Sequence, residues 1–406
     1  MNVWRLSENE TCLAVESFLN DPPRDLQPFD PLILAFCEAF SNRIFQDPKA
    51  CKLPELAALA FWLRKSHLNE LQNQSQSRSA SGIVLVPRGV VFHIPPANVD
   101  PMFVYSWIIS LLMGNASIIR LPSNQSPVFK SIFELLSLLL SQPEFKAINA
   151  AACFVEYDHS TQITALISSR VDVRMIWGGD ETVRLIRSIP LRCDAKELVF
   201  VDRYSYAVIN AEAWLREPPS KQAQIASRFF ADICSFRQSA CSSVKMLVWV
   251  GAEQDVAEAS QEFYMAFMGE VQRRGFQLEL SDIIQKRNFV YDLALSIPVV
   301  KVDEFGNELT VVHIPLEQAG HREHCGRGML LHVSVREFEH FFPYVQRKDQ
   351  TLVQYGFSDE QLRSFVRALN GKGILRIVKP GEALLFGPYW DGYYLMEELS
   401  LCIPLR

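Results

Sequence analysis

Apolar residues recur at helical spacing through roughly the first 70 positions. Pro31-Leu-Ile-Leu-Ala-Phe-Cys-Glu-Ala-Phe and Leu53-Pro-Glu-Leu-Ala-Ala-Leu-Ala-Phe-Trp-Leu each predict a helix. Residues 72–81, Gln-Asn-Gln-Ser-Gln-Ser-Arg-Ser-Ala-Ser, are polar almost throughout and read as an exposed low-complexity connector. Beyond them the pattern changes. Ile83-Val-Leu-Val-Pro-Arg-Gly-Val-Val-Phe-His-Ile predicts two short strands broken at Pro87 to Gly89. An apolar helix over 102–113, the strand Ser117-Ile-Ile-Arg-Leu and a helix around 128–140 follow. Ala152-Cys-Phe-Val-Glu-Tyr and Val173-Arg-Met-Ile-Trp then read as strands, with helices over 161–169 and 181–188. Strands alternating with helices predict a doubly wound, mainly parallel sheet, which binds ligands at the carboxyl ends of its strands. A second half begins near Arg203, with a helix over 221–234, the strand Lys245-Met-Leu-Val-Trp-Val, and a helix capped by Ser358 that runs to Leu369.

Composition adds bounds. With 406 residues, 49% of them hydrophobic, the chain has a large core and length enough for two domains, which excludes disorder as its main theme. Forty basic against 46 acidic residues give a net charge of −6 and no nucleic-acid bias. Nine scattered cysteines without a Cys-x-x-Cys pair read as free thiols of a cytoplasmic protein. The first residues lack an apolar signal core, and segment 102–113 is about half as long as a membrane helix, so no membrane span is expected.

Few residues invite chemistry. Cys241 lies in a loop of small residues, Gln238-Ser-Ala-Cys-Ser-Ser, between a helix and a strand. Small neighbours would let a substrate reach the sulfur, so Cys241 reads as a nucleophile or as a buried structural thiol. Asn98 follows a strand and two prolines that stiffen its backbone; its amide either donates to a developing oxyanion or shapes its own turn. In Trp177-Gly-Gly-Asp-Glu-Thr a strand passes through two glycines into a helix, whose N-terminus suits a phosphate; Asp180 or Thr182 could equally cap that helix. No Gly-x-Gly-x-x-Gly, P-loop or Gly-x-Ser-x-Gly motif is present. His321-Arg-Glu-His-Cys matches no strong zinc spacing and reads as a solvated loop, and His93 reads as a satisfied core histidine.

In their order these segments resemble the aldehyde dehydrogenase superfamily, and more closely its acyl-CoA reductase (LuxC-like) branch, the reductase component of bacterial fatty-acid reductase complexes. Arg88-Gly-Val-Val-Phe-His, Gly114-Asn with Arg120-Leu-Pro-Ser, Trp177-Gly-Gly-Asp-Glu, Gln238-Ser-Ala-Cys and Trp390-Asp-Gly-Tyr carry the resemblance over roughly residues 80 to 400. It implies two doubly wound α/β domains with a cleft between them: helices and an NADP-binding domain over 1–204, a catalytic thiol domain over 205–375, and a segment 376–406 that returns to the cofactor domain or forms an oligomer interface. Cys241 would be acylated, and Asn98 with the Cys241 backbone N–H would hold the oxyanion. Arg120, Ser123, Gly179 and Asp180 would meet the cofactor, Asp180 awkwardly, since an acid replaces the usual Ser beside a phosphate. A cation at Arg120 favours NADPH. Hydrolytic members carry a Glu where this chain has Val199 or Phe200, with Glu197 close by, so the resemblance implies reduction of an acyl-CoA or acyl-protein thioester to an aldehyde. Oxidation of an aldehyde, or a scaffold role beside an acyl-protein synthetase, are the alternatives. A homo-oligomer is expected, and the other eight cysteines read as structural.

Overall fold

A computed structural model describes residues 7–79, 82–96, 98–123, 125–158 and 160–405. The chain forms two compact units, one comprising residues 1–202 and 386–406, the other 203–385. Among the described residues no helix is long and apolar enough to cross a membrane.

The first unit opens with four helices, Glu8–Asn20, Pro31–Gln46, Pro54–Trp62 and Lys65–Ser79. Their starts follow local chemistry: Ser7 and Glu10 form a capping box, and Asp30 caps a helix whose first residue is Pro31. The last helix corrects the connector expected at 72–81. Nothing between Lys65 and Ser79 breaks a helix, and Leu68, Leu71 and Ser75 bury one narrow stripe, enough to carry it through a polar sequence. The last two residues of that expected connector, Ala80 and Ser81, lie outside the described residues.

Strands β1 (Ile83–Pro87) and β2 (Val90–Ile94) follow, then β3 (Ala116–Leu121), β4 (Ala152–Glu156), β5 (Val173–Trp177) and β6 (Lys196–Phe200). The last five form a parallel sheet in the order β4-β3-β2-β5-β6. Alternation sorts its faces: Val90, Phe92 and Ile94 join one core layer with Val15, Ile163 and Ile186, whereas His93 turns to the opposite face, where Ser106 of the Met102–Leu111 helix meets it.

The second unit contains β7 (Tyr204–Asn210), β8 (Val244–Val250), β9 (Lys301–Phe305), β10 (Leu309–His313), β11 (Met329–Val335), β12 (Asp349–Tyr355) and β13 (Arg376–Val378). They form one sheet, β13-β12-β7-β8-β11-β10-β9, parallel except for edge strand β9. Ala207, Leu247 and Trp249 pack on the helices Pro219–Cys234 and Glu253–Arg274; Val208, Met246 and Val248 face the other layer.

The chain then returns to the first unit through β14 (Tyr389–Trp390), β15 (Tyr393–Tyr394) and β16 (Ser400–Pro404), and β16 pairs antiparallel with β1. Buried Asn115 ties this ribbon down: its carbonyl accepts from the Arg88 and Gly89 N–H groups at 2.8 and 3.0 Å, and its amide donates to Leu399 O at 2.8 Å. Gly89, at φ +133°, is irreplaceable there, because a Cβ would sit 2.0 Å from the Asp172 carboxylate.

Candidate active site

In the first unit the chain steps from β2 outward to β3 and β4, then returns to lay β5 on the other side of β2. The boundary between β2 and β5 is therefore the point where strand order reverses, and crevices open at the carboxyl ends of strands there. Asn98, exposed, follows β2 beyond Pro95 and Pro96; Gly178 and Gly179 follow β5. Arg120 is the penultimate residue of β3, and Ser123 lies just past its end. Asn98, Arg120, Ser123, Gly179 and Asp180 thus share one edge of one sheet.

Arg120 and Ser123 meet over the segment that leaves β4. Arg120 Nη2 donates to Tyr157 O at 3.4 Å and Asp158 O at 3.2 Å, its guanidinium lies 4.7 Å from the Tyr157 ring centroid, and Ser123 Oγ donates to Asp158 Oδ1 at 3.2 Å. A cavity of about 520 Å³ beside them is lined by Ser123 and three carboxylates, Glu8, Glu156 and Asp158.

Gly179 is the N-cap of the Asp180–Arg187 helix and no side chain caps it. The expected caps Asp180 and Thr182 do not act as such; both lie inside the helix. The φ of Gly179 is an ordinary −66°, so its glycine serves space and not conformation: a Cβ there would meet no atom within 4 Å. The uncapped first turn, with open space at Gly179, could hold a phosphate, while Asp180 and Glu181 in the same turn oppose that charge.

The thiol belongs to the second unit. Cys241 is half-buried in the turn just ahead of β8. Phe236, Arg237 and Gln238 before it all take left-handed backbone, at φ 53°, 53° and 60°, a conformation that costs each roughly 1 kcal/mol. Interlocking contacts hold them there. Buried Gln238 donates through Nε2 to Val244 O at 2.7 Å and Met329 O at 2.9 Å, and accepts the Gly328 N–H at 2.9 Å. Arg327 N–H donates to Arg237 O at 3.1 Å. Gly326, Arg327 and Gly328 are left-handed in turn, and a Cβ on Gly328 would lie 1.9 Å from Glu308 O. Ser205 Oγ donates to Cys241 O at 2.8 Å while accepting the Thr351 N–H at 3.2 Å. The sequence assigns no role to Gln238 or Ser205; the glycines flanking Arg327 are the sole trace of the clamp.

Other candidates recede. Segment 321–325 is not the solvated loop expected. His324 is partly buried, accepts the Gly326 N–H at 2.9 Å and contacts Met329 O at 3.0 Å, and burial pushes its pKa down to about 3. Arg322 is paired with fully buried Asp349. Among the described residues no cluster suits a metal. All nine cysteines are free, and Cys193 and Cys402 are exposed, which corrects their reading as structural thiols. Glu197 is committed to Arg174 and Arg187, at 2.9 Å from each Nε.

Solved structures place this architecture in a class. The chain superposes on aldehyde dehydrogenase 21 of Physcomitrella patens with a TM-score of 0.68 and 10% identity, covering 97% of this chain and 89% of that one. It superposes on the glyceraldehyde-3-phosphate dehydrogenase GapN of Methanocaldococcus jannaschii, solved with NADP, with a TM-score of 0.61 and 10% identity over 98% and 94% of the two chains. The fold is aldehyde dehydrogenase-like. Within that class the model of the acyl-CoA reductase (LuxC) family matches residues 64–402, and the chain belongs to that family. A curated relative, the long-chain acyl-protein thioester reductase of Aliivibrio fischeri, is 25% identical over 167 residues, 41% of this chain. The match spans 33% of that relative's length.

Proposed function

We propose that the protein reduces a fatty acyl thioester, carried by CoA or by a protein, to the free aldehyde through an S-acyl intermediate on Cys241. The observation that carries this reading is the clamped loop of Gln238 to Cys241, presented ahead of β8 in a member of the acyl-CoA reductase family. The Cys241 thiolate attacks the acyl carbonyl, forming the new thioester and expelling the carrier sulfur as a thiolate that takes up a proton. The Asn98 amide and the Cys241 N–H are assigned to the oxyanion. A reduced nicotinamide dinucleotide would supply the hydride. Cys241 then holds a thiohemiacetal, whose collapse releases aldehyde and restores the thiolate. Commitment of Glu197 to two arginines supports reduction over hydrolysis, since it leaves that carboxylate poorly placed to activate water. A synthetase that charges the acyl carrier is the partner this reading calls for.

For the dinucleotide we favour NADPH, on the guanidinium of Arg120. NADH is the second reading, because carboxylates beside Ser123 would accept ribose hydroxyls and repel a 2′-phosphate. Arg120→Gln is expected to lower kcat/KM for NADPH about tenfold and leave NADH within about twofold; the reverse ratio assigns NADH. The reading as a whole is tested by anaerobic dinucleotide oxidation against a panel of acyl-CoAs with aldehyde detected as product. Oxidation of aldehyde without any thioester reduction would overturn it.

A further inference from the structure

The first unit buries a chain of polar groups in an otherwise apolar layer beneath its reversal point. His93, on β2, lies 2.8 Å through Nδ1 from Ser106 Oγ and 3.2 Å through Nε2 from Ser117 Oγ. Ser106, in the Met102–Leu111 helix, also accepts the Trp177 indole N–H at 3.0 Å. His93, Ser106 and Ser117 are all fully buried, and burial pushes His93 down to about 3, so its ring is neutral with a single N–H. The thioether of Met175, 2.9 Å from Ser106 Oγ, is a weak acceptor. The Ser106 proton therefore goes to Nδ1 and the imidazole proton to Ser117, so each member has its bond.

Such a network costs desolvation that a leucine or phenylalanine would not, and what it supplies in return is fixed geometry. Its anchor points indicate the use. His93 lies on the strand that leads to Asn98, Ser106 on the helix that follows Asn98, and Trp177 immediately before Gly178 and Gly179. Ser106 is therefore bonded to both strands that flank the reversal.

We infer that Ser106 and His93 are positioning residues that set the Asn98 loop and the Gly178–Gly179 turn in fixed relation, and so govern dinucleotide binding and the hydride step. This rests on the roles proposed for Asn98 and Gly179. Two isosteric changes separate positioning from mere packing. His93→Asn keeps a polar atom at the Nδ1 position facing Ser106; His93→Gln keeps one at Nε2 and abandons Ser106.

The full-length protein and three variants, His93→Asn, His93→Gln and Ser106→Cys, are compared for thermal midpoint, dinucleotide affinity by fluorescence titration, and kcat and KM for acyl-CoA. His93→Gln and Ser106→Cys are expected to weaken dinucleotide binding and kcat about tenfold with the acyl-CoA KM unchanged, while His93→Asn stays within about threefold of the parent. Equal losses in both histidine variants, or a lowered midpoint with binding and kcat intact, would overturn the inference. The binding readout needs no acyl substrate, so it stands even if the thioester chemistry fails.

Discussion

The two sheets carry their candidate residues at opposite ends. In the first unit Asn98, Ser123 and Gly179 lie past the carboxyl ends of parallel strands; in the second Cys241 lies ahead of the amino end of β8. The first arrangement uses what any parallel sheet offers at its reversal point, namely free N–H groups and room, and Gly179 is relaxed. The second is built against the backbone's preference, with two left-handed triplets locked by one glutamine. An edge that receives a ligand needs space, whereas a loop that presents a nucleophile needs rigidity.

That contrast is easiest to break with the same substitution in both units. Gly328→Ala forces a Cβ into Glu308 O at a positive φ, and is expected to cost about 3 kcal/mol or more in chemical unfolding and to abolish acylation. Wild-type stability would mean that the clamp is loose. Gln238→Leu strands the Gly328 N–H and takes a donor from the Val244 and Met329 carbonyls, with an expected cost of about 2 to 3 kcal/mol and slower acylation but unchanged dinucleotide affinity. A change in dinucleotide affinity would show that the units are not independent in this respect.

Acid separates the units next. Burial pushes His93 in the first unit and His324 in the second down to about 3, and His332 in the second well below its usual range. Between about pH 6.5 and 3 the unfolded chain binds protons at these histidines that the folded chain does not, so stability falls with pH by about 1.4 kcal/mol per unit for each. Asp232 in the second unit, pushed up to about 7 by burial, takes up a proton on folding over the same range and offsets one of these histidines, so Asp232→Asn should steepen that unit's softening in hydrogen exchange followed from pH 6.5 to 4.5; an unchanged slope would contradict this. Smallest in effect is Gly179→Ala, expected to shift stability by under about 0.5 kcal/mol and weaken dinucleotide binding about tenfold. Unchanged binding would remove Gly179 from the site.

The sequence made the first arrangement the more legible of the two. Continuous apolar runs mark β2, β3 and β5 as buried parallel strands, and glycines after β5 mark a strand-to-helix turn. Cys241 stood out by its small neighbours, but the left-handed backbone of Phe236 and Arg237 leaves no composition signal, because neither residue type prefers it. The pairing of β1 with β16 is equally silent, since it joins the two ends of the matched region and is set by Asn115 from a third place in the chain. Ser106 in an apolar helix looks like a neutral substitution until His93 and Trp177 are seen to converge on it. Periodicity reports which face is buried, and says little about a single hydroxyl within that face.

The central claim is that Cys241 carries the acyl group. Intact-mass and peptide mass spectrometry of the protein incubated with a long-chain acyl-CoA, without dinucleotide, tests it directly. The expected result is one acyl adduct on the Cys241 peptide, discharged as aldehyde when reduced dinucleotide is added and absent from a folded Cys241→Ala variant. An adduct on another of the nine cysteines, or aldehyde formation by Cys241→Ala, would contradict it.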